Sequence, residues 1–237
     1  MNFEEAIKKA DYMIDCAFPN CSAAILSGSI VKGNANETSD LDIVIFDETV
    51  TKSYRQATLI DNTPVDFYVH NFQSYKNVFE KDVLVAMPAM PSRILEGYII
   101  KDHSKLSEIK LEAKNVLAKG PKSWSLETQI IKSFELEELL DDFQGANSRD
   151  IEIFSMNKLV ELLCEFILRM NNQWIGEAKW LYKSLQNYDS KLADNVLTCV
   201  DDYYINSNKK KISELVREIL NKYKPEEYES QEIKYQY

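Results

Sequence analysis

Thiolate and imidazole chemistry has little to work with in this chain. Its 237 residues include four cysteines, Cys16, Cys21, Cys164 and Cys199, and two histidines, His70 and His103. The cysteines show no metal spacing, and Cys16 and Cys21 are too lone to suggest a zinc site. No apolar run approaches the roughly 20 residues that span a bilayer, and Met1-Asn2-Phe3-Glu4-Glu5 has no signal-peptide character. The expectation is a cytoplasmic protein with reduced thiols. Positive charge is scarce as well: Lys and Arg number 28 against 38 Asp and Glu, a formal net charge of −10. Nucleic-acid binding needs clustered Lys and Arg, so a nucleic-acid partner is not expected. The same acidity suits a cationic small molecule, although net charge also serves solubility. No internal repeat is present.

What the chain does have is a set of acidic residues on apolar strands. Leu41 to Phe46, rich in Ile and Val, reads as a buried strand, entered through Ser39-Asp40-Leu41-Asp42. Alternation along a strand sets Asp40 and Asp42 on one face. Two carboxylates close enough to repel call for a cation, and oxygen ligands with a triphosphate suit Mg²⁺. Upstream, the apolar run Ala23 to Leu26 ends near Gly28-Ser29. Glycine there allows close backbone approach or a positive φ. If a short helix starts after it, free N–H groups favour an anion. Ser29 and Ser39 add hydroxyls, and Lys32, one helical turn on, can meet a phosphate as a point charge. Gly33-Asn34-Ala35-Asn36 reads as a loop returning to the acidic strand.

Downstream, Thr63 to His70 reads as a strand with Asp66 among apolar and aromatic neighbours. The run Ser53 to Ile60 has strand character too, and Asp61-Asn62-Thr63 between them signals a hairpin. Val65, Phe67 and Val69 on one face leave Asp66 and Tyr68 on the other. If Asp66 lies beside Asp40 and Asp42, the cluster can hold two cations that clamp an attacking and a leaving oxygen. The chemistry implied is attack on phosphorus.

Together, Ala24-Ile25-Leu26-Ser27-Gly28-Ser29, Ser39-Asp40-Leu41-Asp42 and Val65-Asp66-Phe67 resemble the three-part signature of the polymerase-β-type nucleotidyltransferase superfamily. The layout, with a helical second half, is similar to the kanamycin- and lincosamide-type antibiotic nucleotidyltransferases. The signature covers roughly residues 22–70. The resemblance implies a nucleoside triphosphate such as ATP, two Mg²⁺ ions, and transfer of a nucleoside monophosphate to an acceptor, which it does not fix. It implies Asp40 and Asp42 as metal ligands, and Asp66 as a ligand of the second metal or as a base. Gly28, Ser29, Ser39 and Lys32 would hold the triphosphate. A small-molecule acceptor, a protein or RNA acceptor of the toxin–antitoxin kind, and a non-catalytic nucleotide-binding module are the readings in play. The acidic balance favours the first, and the three intact acids speak against the last.

The expected fold is an α/β (α+β) domain with a small mixed sheet over residues 1–120, then an all-α acceptor-binding bundle over 121–225 and a polar tail over 226–237. Helices are expected at Phe3 to Phe18, Asn71 to Val85, and Ser104 to Lys119 with Ser104 as cap. Met87-Pro88-Ala89-Met90-Pro91 is expected to break the chain. A helix end and short strand follow, turning at Gly97. In the second half helices are expected at Trp124 to Phe143, Arg149 to Met170, Ala178 to Asn187, Lys191 to Ile205 and Lys210 to Tyr223. Their apolar stripes, in the second of them Ile153, Phe154, Leu159, Leu162, Leu163, Phe166 and Ile167, pack into a bundle, and the apolar content allows a homodimer. Lys179 is a candidate phosphate contact, and Trp174 and Trp180 can stack on a ring or fill the core. Glu135, Glu138 and Glu161 are candidate bases with surface roles as the plainer alternative; His70 and His103 are candidates by type alone.

Overall fold

Helix α1 (Phe3–Ala17) starts on a capping box: the Asn2 side chain accepts from the Glu5 N–H at 2.9 Å, and the Glu5 carboxylate accepts from the Asn2 N–H at 3.0 Å. Its apolar stripe, Ala6, Ala10, Met13 and Ile14, follows the 3.6-residue period and is buried. The computed structural model describes residues 1–33 and 39–226. The loop expected at Gly33-Asn34-Ala35-Asn36 falls, past Gly33, outside the described residues, as does the tail beyond Glu226.

Among the described residues five strands follow or interleave with the next helices: β1 (Ala23–Ser27), β2 (Leu41–Phe46), β3 (Tyr54–Ile60), β4 (Thr63–His70) and β5 (Tyr98–Lys101). They form one mixed sheet in the order β3-β4-β2-β1-β5. Strand β1 runs antiparallel to β2 and β5, β2 runs parallel to β4, and β3 is antiparallel to β4. The β3–β4 hairpin closes through Asp61 and Asn62, both at positive φ (49° and 58°). That is the turn whose twist matches flanking strands, and Asp and Asn tolerate it best after glycine.

Alternation divides the sheet into two apolar layers. Leu41, Ile43, Ile45, Val65, Phe67 and Val69 pack with the α1 stripe. On the other face Ala23, Ile25, Val44 and Phe46 pack with Phe79, Met90, Ile94 and Ile109. These last come from α2 (Tyr75–Val85), α3 (Ala89–Glu96) and α4 (Leu106–Lys119). Each Val, Leu, Ile, Phe or Met side chain among them, fully buried, contributes about 1.5–3 kcal/mol.

Helix α2 starts at Tyr75 rather than Asn71, and two further boundaries differ from expectation, each with a physical reason. The chain breaks at Ala86, at φ 60°, and Pro88, while Ala89, Met90 and Pro91 already belong to α3. Proline is tolerated there because the first helical turn has no partner for its N–H. Helix α4 starts at Leu106 with Lys105 at its cap position, so Ser104 does not cap it. The Lys105 N–H donates to Nδ1 of His103 instead, at 3.2 Å. The elbow before α3 is pinned by buried Asp82, whose carboxylate accepts from the Met90 N–H at 2.7 Å.

The chain divides into a first unit, Met1–Gly120, and a second, Pro121–Tyr237. The second contains α5 (Leu126–Gly145), α6 (Arg149–Met170), α7 (Lys179–Tyr188), α8 (Ser190–Asn206) and α9 (Lys210–Tyr223). Ile130, Leu136, Leu140 and Phe143 of α5 are buried, as are Leu159, Leu162, Leu163, Phe166 and Ile167 of α6. Phe154, which the spacing assigned to the α6 stripe, is 80% exposed. No described helix is long and apolar enough to cross a membrane.

Candidate active site

The parallel register of β2 and β4 pairs Asp42 with Asp66. The two aspartates therefore stand side by side on adjacent strands, on the face opposite Leu41, Ile43, Val65 and Phe67. Asp40 sits just before β2. One carboxylate oxygen from each of Asp40, Asp42 and Asp66 lies within 4.8 Å of the others. Asp66 is buried, and Asp40 and Asp42 are half-buried. Burial, then the neighbouring charge of Asp42, pushes the Asp40 carboxyl above the usual carboxylate range.

Strand β1 ends against this cluster. Ser27 pairs with Asp42 in register, and its hydroxyl donates to the Asp42 carbonyl at 3.2 Å. Gly28 follows at φ +80°, and a Cβ built there would collide with Oδ2 of Asp42. The glycine is thus required twice, by its left-handed backbone and by the carboxylate packed against it. After Gly28 the chain makes turns rather than the helix considered from sequence, with the Lys32 N–H donating to the Gly28 carbonyl at 3.4 Å. Ser29 lies in this turn and Ser39 immediately precedes Asp40, both half-buried. Lys32 reaches Glu96, with Nζ–Oε2 at 2.6 Å.

Two arginines to which the sequence reading assigns no role complete the cluster, together with Tyr68, which the strand alternation sets on the face of Asp66. Arg55 of β3 pairs with Asp66, Nη2–Oδ2 2.5 Å. Arg93 of α3 approaches Asp42, Nε–Oδ1 3.4 Å, and donates through Nη2 to the Tyr68 hydroxyl at 3.0 Å. Its guanidinium lies 4.3 Å from the Tyr68 ring centre, and that of Arg55 5.8 Å. Burial pushes the Tyr68 phenol up despite Arg93, so it stays neutral and can donate. Arg55 was reachable from sequence: with the turn at Asp61-Asn62, hairpin pairing places Arg55 opposite Tyr68 and Ala57 opposite Asp66. Arg93 gave no such signal, because its place depends on how α3 packs.

Each of the remaining candidates is placed within its own unit. Lys179 opens α7 in the second unit, its ammonium 5.7 Å from the Trp180 ring, and Trp180 is 41% exposed. Glu135 and Glu161 form ion pairs with Lys132 and Lys158 one helical turn away. His103 stacks on Phe72 at 4.7 Å. His70 ends β4, four residues beyond Asp66 on the same face, buried with Nδ1 2.7 Å from the Ser53 hydroxyl.

Three hard oxygen donors at this separation, with an uncompensated negative charge among them, suit a divalent cation in chemistry and in reach. The family model described as "nucleotidyltransferase domain" matches residues 18–136, half of the chain. A solved nucleotidyltransferase-like protein from Exiguobacterium sibiricum 255-15 is similar at 11% sequence identity and a TM-score of 0.49, covering 92% of this chain and 75% of that one. No curated protein matches the chain.

Proposed function

Because the chain belongs to the nucleotidyltransferase domain family and is a nucleotidyltransferase, we propose that it moves a nucleoside monophosphate from a nucleoside triphosphate, ATP first among them, to a hydroxyl of a small acceptor. The observation that carries this reading is the Asp42–Asp66 pair on parallel strands with Asp40 beside it. Asp40, Asp42 and Asp66 would hold Mg²⁺. Bound there, the cation supplies Lewis acidity toward the phosphate oxygens and the departing pyrophosphate.

The protein's own part is orientation and charge placement. Gly28 lets the β1 turn close on Asp42 without a side chain between them. The Ser29 and Ser39 hydroxyls, beside that turn and beside Asp40, are suited to donate to phosphate oxygens. Lys32 would leave Glu96 to serve as a point charge. The second unit is the proposed acceptor-binding domain, with Trp174 and Trp180 as candidates to stack on a ring and Lys179 as a candidate phosphate contact. The net charge of −10 supports a cationic acceptor of the aminoglycoside kind over a nucleic acid.

The test is Asp42→Asn. The variant should keep its fold, because Asp42 is near-isosteric with Asn. It should lose Mg²⁺-dependent nucleotide binding in calorimetry and lose pyrophosphate release by about 10²–10³-fold. Undiminished pyrophosphate release from a folded Asp42→Asn protein would refute the site. Screening cationic sugars, and separately any copurifying protein, for label from α-³²P nucleotide would identify the acceptor class.

A further inference from the structure

The carboxylates proposed to bind metal are already neutralised in part by the chain itself. Arg55 covers Asp66 and Arg93 approaches Asp42, so three carboxylates face two guanidinium groups. An oxygen engaged by a guanidinium is not available to a divalent cation, and the guanidinium charge repels one at short range. Neither arginine is locked onto its carboxylate. The Arg55 side chain is 61% exposed on edge strand β3; the Arg93 side chain, on α3, is half-buried at 25% exposed but meets Asp42 only at 3.4 Å. Both also rest against Tyr68, which lies two residues beyond Asp66 on the same face. Tyr68 therefore offers a second support whether or not the carboxylates are engaged.

We propose that Arg55 and Arg93 are place-holding counter-ions that leave Asp66 and Asp42 when the cluster takes up divalent cations and turn to the phosphate oxygens of the nucleoside triphosphate. The inference rests on the metal-and-nucleotide reading above. The guanidinium fork matches a phosphate as well as a carboxylate, and its charge is permanent, so the exchange needs no proton. Cation and nucleotide binding become mutually dependent, because each removes a partner that opposes the other. Arg55 and Arg93 are positioning residues for the triphosphate, and Tyr68 keeps both close to it.

The experiment is calorimetry on the full chain, wild type against Arg55→Gln and Arg93→Gln. Two titrants are used: Mn²⁺ alone, and α,β-methylene ATP at saturating Mg²⁺. Each variant should bind Mn²⁺ alone about two- to fivefold more tightly, since a competing ion pair is gone. Each should bind the nucleotide about tenfold more weakly, since a charged contact is lost. Arg55→Lys should recover part of the nucleotide affinity. A merely structural role moves both affinities in the same direction or neither, and either result overturns the proposal. Arg55, on an exposed edge, keeps the test decisive should Arg93→Gln fail to fold. A wild-type protein that binds neither titrant overturns the metal-and-nucleotide reading together with this one. A wild type that binds both, with unchanged variants, overturns this one alone.

Discussion

Replacing Gly28 by alanine probes the joint between β1 and the carboxylates, and Gly33 provides a matched control. Both glycines have positive φ, +80° and +68°. An alanine at either position carries the left-handed backbone cost of about 1–2 kcal/mol. The surroundings then separate them. No described residue lies within 4 Å of a Cβ at Gly33, whereas at Gly28 it would overlap Oδ2 of Asp42 and sit 3.0 Å from its Cγ. Asp42 must turn away, adding about 0.5–1.5 kcal/mol of rotamer strain. Urea unfolding should therefore show a loss of about 1–2 kcal/mol for Gly33→Ala and about 1.5–3.5 kcal/mol for Gly28→Ala. Function should diverge far more. Displacing a reacting-site group by about 1 Å costs on the order of 10²-fold, so pyrophosphate release by Gly28→Ala should fall about that far below Gly33→Ala. Equal activity in two folded variants would refute the argument that the glycine exists to admit the carboxylate.

Two further outcomes concern the first unit. Burial pushes the His70 imidazole down from 6.5 to about 4. Between those pH values the unfolded chain holds a proton that the native chain lacks, so stability is lost as pH falls through the window. The loss is roughly 3 kcal/mol by pH 4 at 1.36 kcal/mol per tenfold, and the difference between wild type and His70→Gln in urea titrations at pH 7 and pH 4.5 should reveal most of it. A Cβ at Gly97 would meet Ile25 and lie 2.5 Å from the Arg93 carbonyl. Gly97→Ala should accordingly destabilise by about 1–3 kcal/mol, seen as a lower urea midpoint, and loosen β5 in hydrogen exchange.

Much of this architecture is readable from residue pattern. The α6 and α9 spans follow from helical periodicity between clear stops, and the hairpin from Asp61-Asn62 between alternating runs. The aspartates were legible because a carboxylate within an apolar strand contradicts its surroundings. Their convergence was only an expectation, since nothing local dictates that β2 pairs with β4 in parallel. Arg93 was hidden for the same reason: it belongs to a short helix whose start was obscured by Pro91. Phe154 misled in the opposite sense, because an apolar residue at helical spacing faces the core only where a neighbour covers that turn. The Ser104 cap failed because a serine before a helix is frequent, while its bond to the first N–H groups depends on one backbone angle.

The parallel pairing of Asp42 with Asp66 also makes the cluster a gauge of sheet alignment. Sliding β4 by one residue along β2 would carry Asp66 into the apolar layer beneath α1 and bring Val65 or Phe67 to the cluster. Such a slip would bury a charge on one side and strand a greasy side chain among carboxylates on the other. Arg55, carried along by the hairpin, would be drawn out of the cluster with Asp66 at the same step. Chemistry and assembly are thereby judged by one alignment: a molecule able to gather its three acids has, in doing so, certified that its sheet is correctly threaded.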